Sequence, residues 1–200
     1  MIPFSAAASQ RICRSSASKV HSPGILHSEV MTMMTWTQKE ASLLKDLKSQ
    51  EQLCVDKYGK YAQEACDPEL KDIFRQIQQT EQSHLQTVTT LLDGRMPQQN
   101  DQQQKQQKQQ KQQNQQDPQR YAEFPPQGAE NVHLAMQHDK FLAEDALCTE
   151  KEVSGAYNVS IFEFRDPQVR QLLHQIQGAE QKHGEMLYQY MARNGMYQAQ

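Results

Sequence analysis

Four cysteines are scattered through the 200 residues (Cys13, Cys54, Cys66 and Cys148), and no two of them form a CxxC pair. That spacing excludes a zinc ribbon or a rubredoxin-like site, and it points weakly to a reducing compartment. No apolar run approaches the roughly 20 residues of a membrane span. The N-terminus has no continuous apolar core of a secretory signal. Neither sign of charge dominates: 21 Lys and Arg stand against 24 Asp and Glu, a formal net charge of -3. Nothing therefore points to nucleic acid or an anionic membrane as a partner.

What is present divides into unlike materials. Residues 1–35 are rich in Ser and Ala, with Arg11, Arg14 and Lys19 and only Glu29 acidic. In composition this resembles a transit peptide; the expectation is a disordered tail, or a start of translation placed too early, since Met31, Met33 and Met34 precede the first structured element. Residues 95–135 hold a Gln-rich tract from Gln98 to Gln119, flanked by Pro97 and Pro125-Pro126. Such a tract cannot build a core and reads as a disordered crossover. A Gln tract can also self-associate through side-chain ladders, but a passive spacer is the expectation.

Between these lie four helix-patterned segments, in residues 36–94 and 136–197. Thr37-Gln38-Lys39-Glu40 is a capping box. Leu44, Leu47, Glu51, Cys54 and Tyr58 then recur at steps of three and four, one helix face ending near Cys66. Cys54 reads as a small buried hydrophobe on that face. Asp67-Pro68 opens a second helix whose face is Leu70, Phe74, Ile77, Glu81, His84, Val88 and Leu91, with Asp93-Gly94 as its stop. A third helix is expected to start between Leu134 and Lys140, with the face Ala143, Ala146, Glu150, Val153, Tyr157, Ser160 and Phe164. Asp166-Pro167 opens the fourth, with Val169, Leu173, Ile176, Glu180, His183, Leu187 and Tyr190 on its face and Asn194-Gly195 after it. The fold class is all-α.

The chain repeats itself. A shift of 99 residues carries Asp67-Pro68 onto Asp166-Pro167, Gln76-Ile77-Gln78 onto Gln175-Ile176-Gln177, Tyr58 onto Tyr157, and Glu51 onto Glu150. Glu81-Gln82 and His84 land on Glu180-Gln181 and His183. The simplest account is a duplicated helical hairpin, the two copies forming one four-helix bundle.

That repeat predicts a metal site. At about 1.5 Å of rise per residue, Glu51, Glu81 and His84 lie about 24, 21 and 26 Å from the first hairpin turn, and so at one level. Glu150, Glu180 and His183 repeat the arithmetic around Asp166. All four glutamates occupy core positions, where an isolated carboxylate protonates, pairs or binds a cation. No Lys or Arg shares the stripe at that level. Two divalent cations would neutralise the set; carboxylate with imidazole suits iron or manganese, with zinc a further choice. The competing reading is a set of solvated residues on a misjudged face, or relics of a lost site. Tyr58 and Tyr157 are candidates to donate a hydrogen bond to a ligand carboxylate, and are equally well read as aromatic core filler. His133, His138 and His174 have no counterparts in the repeat and read as surface residues. Glu64 and Glu163, at the hairpin ends, read as solvated.

The order Glu, ExxH, Glu, ExxH resembles the ferritin-like superfamily, including rubrerythrins and manganese catalases. The stretches Ala146-Leu147-Cys148-Thr149-Glu150-Lys151, Ala156-Tyr157-Asn158, Arg165-Asp166-Pro167-Gln168-Val169-Arg170 and Met191-Ala192-Arg193-Asn194-Gly195-Met196-Tyr197 resemble the spore coat protein F family of endospore-forming bacteria. The resemblance covers about residues 40–94 and 137–197. It implies a spore coat component made in the mother cell, with a ferritin-like bundle, other coat proteins as partners, and room for a homo-oligomer. In such sites Glu81 and Glu180 would bridge the metals, Glu51 and Glu150 would be terminal ligands, and His84 and His183 would serve one metal each. No rubredoxin-like cysteine motif is present to deliver electrons, and no fifth helix follows Met196, as a ferritin cage would require. The function expected is structural, with an enzyme acting on peroxide or dioxygen, or metal sequestration, as the alternatives.

Overall fold

A computed structural model describes residues 34–97 and 129–197. Most of the expected N-terminal tail and the whole Gln-rich tract lie outside the described residues, as does Cys13. The described residues form four helices and no strand: α1 (Gln38–Glu64), α2 (Pro68–Leu92), α3 (Ala129–Glu163) and α4 (Pro167–Arg193).

The helix starts are held as the sequence predicts. Thr37 caps α1: its hydroxyl accepts from Glu40 N–H at 3.2 Å, and the Glu40 carboxylate accepts from Thr37 N–H at 2.8 Å. Asp67 and Asp166 cap α2 and α4, accepting from Glu69 N–H at 2.8 Å and Gln168 N–H at 2.7 Å. Each is followed by a proline, whose missing N–H would have had no helical partner. Gly94 and Gly195 take positive φ (75° and 66°) just past α2 and α4, a backbone conformation that glycine adopts without steric cost.

The start of α3 corrects the sequence reading. The helix begins at Ala129, ahead of the Leu134–Lys140 window and inside the segment read as linker. The reason is physical. Periodicity marks only buried faces, and Val132, Leu134 and Met136 are all exposed; Asp139 is the first buried side chain described in the helix.

All four predicted stripes point inward and share one core, from Leu44 and Tyr58 to Phe74, Ala146, Leu173 and Tyr190. Burying a large apolar side chain contributes about 1.5–3 kcal/mol, so these stripes dictate the packing. α1 packs on α2 and α3 on α4, while α1 also borders α3 and α2 borders α4. Contacts between the hairpins fix the directions. Lys39 pairs with Glu163 at 2.6 Å at one end, and Asp139 accepts from Cys66 N–H and Asp67 N–H at 2.7 and 2.8 Å at the other. So α1 and α3 are antiparallel. Arg193 pairs with Glu69 at the same end as Asp139, which makes α2 and α4 antiparallel as well. At the opposite end Trp36 donates to the Leu91 carbonyl at 2.9 Å and meets the edge of Phe164 with centroids 5.7 Å apart.

The sequence repeat reappears as paired contacts. Gln78 donates its amide to the Val55 carbonyl at 3.1 Å, and Gln177 donates to Ser154 at 3.1 Å. Gly59 makes room for the first of these: a Cβ there would collide with the Gln78 amide.

Candidate metal centre

The six residues singled out by the repeat come together in the middle of the core. Glu51, Glu81, Glu150 and Glu180 are at most 3 % exposed, and His84 and His183 at most 7 %. They form two overlapping groups. Glu51, Glu81, His84 and Glu180 make one; Glu81, Glu150, Glu180 and His183 make the other. Within each group one donor atom per residue lies within 4.8 Å of the rest. Glu81 and Glu180 belong to both, and each group draws on both hairpins.

The imidazoles reach across. His84 Nδ1 lies 2.9 Å from Glu180 Oε1, and His183 Nδ1 lies 2.8 Å from Glu81 Oε1. Each is 3.4 Å from the glutamate of its own ExxH motif. The two rings are roughly stacked, with centroids 6.0 Å apart. None of these approaches has the alignment of a hydrogen bond, and both Nδ1 atoms are without a hydrogen-bond partner.

The carboxylate oxygens divide in the same ordered way. Tyr58 donates its hydroxyl to Glu150 Oε1, and Tyr157 donates to Glu51 Oε1. The second oxygen of each, Glu51 Oε2 and Glu150 Oε2, has no hydrogen-bond partner. For Glu81 and Glu180 both oxygens lack one. Buried polar atoms are almost always satisfied, and eight such donor atoms converging on one spot could hold a cation there. The tyrosines thus do both things the sequence offered: they fill the core and hold carboxylates, each one of the opposite hairpin.

Electrostatics sets the four carboxylates apart. Burial raises the Glu51 carboxyl well above its ordinary range; His84 opposes this, while Glu81 and Glu180 add to it. Burial likewise pushes Glu150 up to about 8, against the pull of His183. Glu81 is driven the other way: burial raises it, but His183 and His84 outweigh that and hold it well below the usual range. Glu180 is lowered too, His84 overcoming burial. Burial lowers both imidazoles, yet the facing carboxylates raise them well above 6.5. The shifts thus divide the carboxylates, favouring the charged form at Glu81 and Glu180 and the neutral form at Glu51 and Glu150. Two divalent cations would balance all four carboxylates with the imidazoles neutral. The donor set and its orphaned atoms fit such a pair.

The residues read as peripheral are so. His133, His138 and His174 are exposed, and so are Glu64 and Glu163, the latter paired with Lys39. Cys54 is buried, and burial among the four carboxylates pushes its thiol far up. Cys148 is exposed.

Sequence reasoning missed two buried acids. Glu40 is 1 % exposed and Asp139 is 3 % exposed. The capping box accounted for Glu40 locally, and Asp139 lay at the edge of the linker. The signal was the 99-residue shift, which carries one onto the other. It also missed a half-buried cluster beside Glu150, which has no counterpart in the other hairpin. There Lys57 donates to Asp145 at 2.8 Å and to Thr149 at 2.7 Å, and Tyr61 donates to Asp145 at 2.7 Å.

Comparison with known families adds one match. Residues 138–200 match the family model of the Coat F domain. The match begins nine residues into α3 and runs through α4, so it takes in most of the second hairpin, with Glu150, Glu180 and His183. It supports a spore coat protein of the coat F kind. No curated protein and no solved structure matches the chain. No described helix is long and apolar enough to cross a membrane.

Proposed function

We propose that this chain is a coat F-type spore coat protein whose ferritin-like bundle carries a dinuclear metal centre. One observation carries the metal reading: the pattern of open oxygens. Glu51 and Glu150 each have one oxygen tied by a tyrosine and one open, which suits a terminal ligand. Glu81 and Glu180 have both oxygens open and belong to both groups, which suits a bridge. His84 and His183 supply one open nitrogen each. Iron or manganese suits this donor set best. The ferritin-like arrangement draws support from the helix ends. α2 stops beside the start of α1, whereas α3 runs in from beside the α1–α2 turn, so the connection between them passes from one end to the other.

In this reading the metals bind the hairpins to each other and stabilise the coat component. A second reading, an enzyme acting on peroxide or dioxygen, is favoured by the complete ligand set. The metals, when bound, would supply redox chemistry to such a small oxidant. The chain's own part is to hold the carboxylates through Tyr58 and Tyr157 and to exclude bulk water with the surrounding core.

The test is metal content per chain, by elemental mass spectrometry, on the full chain produced with iron and manganese both supplied. Two metals per chain, lost in a folded Glu81→Gln, Glu180→Gln variant, are expected. A well-folded wild-type chain without metal would overturn the centre. Metal-dependent consumption of peroxide would favour the enzyme reading; bound metal without turnover would favour the structural one.

A further inference from the structure

Exposed apolar side chains are distributed unevenly over the described helices. α1 exposes Leu53, α4 exposes Tyr188, and α2 exposes no large hydrophobe. α3 exposes Val132, Leu134, Met136, Phe141, Val159 and Phe162. Leu134 and Phe141 keep 63 % of their surface open, and Phe162 keeps 80 %. Leaving such side chains in water forgoes the gain of burial, so a helix rarely gathers them on one face.

Three of them fall on one line. Leu134, Phe141, Cys148, Gly155 and Phe162 follow one another at seven-residue steps, and all five are exposed. Seven residues are nearly two helical turns, so the five form a single stripe. It lies opposite the buried face of Ala146, Glu150, Val153 and Tyr157.

The stripe is complementary to itself. Cys148 is its midpoint, with Phe141 and Gly155 seven residues to either side and Leu134 and Phe162 fourteen. Turn a second α3 antiparallel about Cys148, and Phe141 faces Gly155, Leu134 faces Phe162, and Cys148 faces itself. The large ring then meets the residue without a side chain, twice over. A two-fold contact demands this kind of self-matching patch.

We infer that α3 is a self-association surface, on which a second copy of this chain docks antiparallel with Cys148 on the two-fold axis. The stripe from Leu134 to Phe162 is about 42 Å long and a helix about 10–12 Å wide. Contact along it buries roughly 1,000 Å² over the two copies, the size of a reversible association rather than a permanent dimer. The inference is independent of the metal centre, which faces the opposite side of the helix.

Sedimentation equilibrium of the full chain over rising concentration tests it. A monomer–dimer equilibrium is expected, weakened at least tenfold by Phe141→Glu with Phe162→Glu. Both sites are exposed, so helicity by circular dichroism should be unchanged. Register is tested by oxidation in air with a copper catalyst, in a Cys13→Ser, Cys66→Ser background. Two Cys148 thiols give up two electrons and two protons to dioxygen, leaving one disulfide and hydrogen peroxide. Covalent dimer is expected there, and not after Cys148→Ser with Gly155→Cys. In the antiparallel register those new thiols sit about 21 Å apart. A chain that stays monomeric overturns the inference, and Cys148 shielded from thiol reagents in that monomer would assign the stripe to another part of the same chain. A dimer indifferent to the Phe→Glu changes, or equal cross-linking at position 155, also overturns it.

Discussion

Glu40 and Asp139 hold each other's hairpins: each accepts a backbone N–H from the turn of the opposite hairpin. Glu40 takes Arg165 N–H at 3.0 Å, and Asp139 takes Cys66 N–H at 2.7 Å. Both acceptor and donor are related by the same 99-residue shift. The two acids thus lock the hairpins at opposite ends, with the six-residue cluster midway between the locks.

Removing either lock should loosen the pairing of the hairpins. Asp139→Asn leaves the Cys66 and Asp67 amides sharing one weaker acceptor, and Glu40→Gln strips the charge facing Arg165. Each should cost about 1–3 kcal/mol in urea unfolding. Glu40 adds a pH signature. Burial raises its carboxyl, but the Arg165 and Thr37 donors outweigh that and hold it at about 2. A depressed folded-state value stabilises above the unfolded value of about 4.3 and is lost as the pH falls toward 2. The deficit of Glu40→Gln should therefore be full at pH 6 and shrink between pH 4 and pH 2. A deficit unchanged across that range would refute the role of the charge.

The tyrosines should act on metal affinity without changing stoichiometry. Tyr58→Phe frees Glu150 Oε1, and Tyr157→Phe frees Glu51 Oε1. Losing a group that orients a ligand typically weakens metal binding 10–100-fold. Competition with a chelator of known affinity should show that drop in each variant, with two metals still bound at saturation. Because the two contacts are equivalent, the variants should match within a few-fold. No change in either would make the phenols core filler alone.

Metal uptake should release protons. Glu51 and Glu150 are raised by burial, and the imidazoles are raised by the carboxylates facing them. Each shift favours the protonated form, and a metal ligand must give that proton up. Calorimetry in buffers of different ionisation heat should show net proton release on metal binding near pH 7. Affinity should rise as the pH rises from 6 to 8. Proton-neutral binding would mean that the ions sit elsewhere.

The sequence made the buried faces legible because burial imposes a period. Every stripe residue from Leu44 to Tyr190 named in advance is buried, the charged ones included. The clustering of buried carboxylates and imidazoles was legible for a second reason: carboxylates at core positions are costly, and the repeat supplied them in matched sets. The early start of α3 was not, because the side chains described ahead of Asp139 are exposed or only half-buried and impose no period. Glu40 and Asp139 were hidden because a long-range brace leaves no local pattern. Only the partner's position, 125 residues from Glu40 and 73 from Asp139, gives them meaning.

Because each group of buried carboxylates and imidazole draws from both hairpins, the first hairpin cannot complete its own interior during synthesis. Its last residue, Leu92, precedes the end of α4 at Arg193 by about 100 residues. At 5–20 residues per second that is roughly 5–20 seconds of waiting on the ribosome. Through that interval Glu51, Glu81 and the apolar stripes around them face solvent or whatever else is near. The buried face of the first hairpin is therefore completed only once the second has been made.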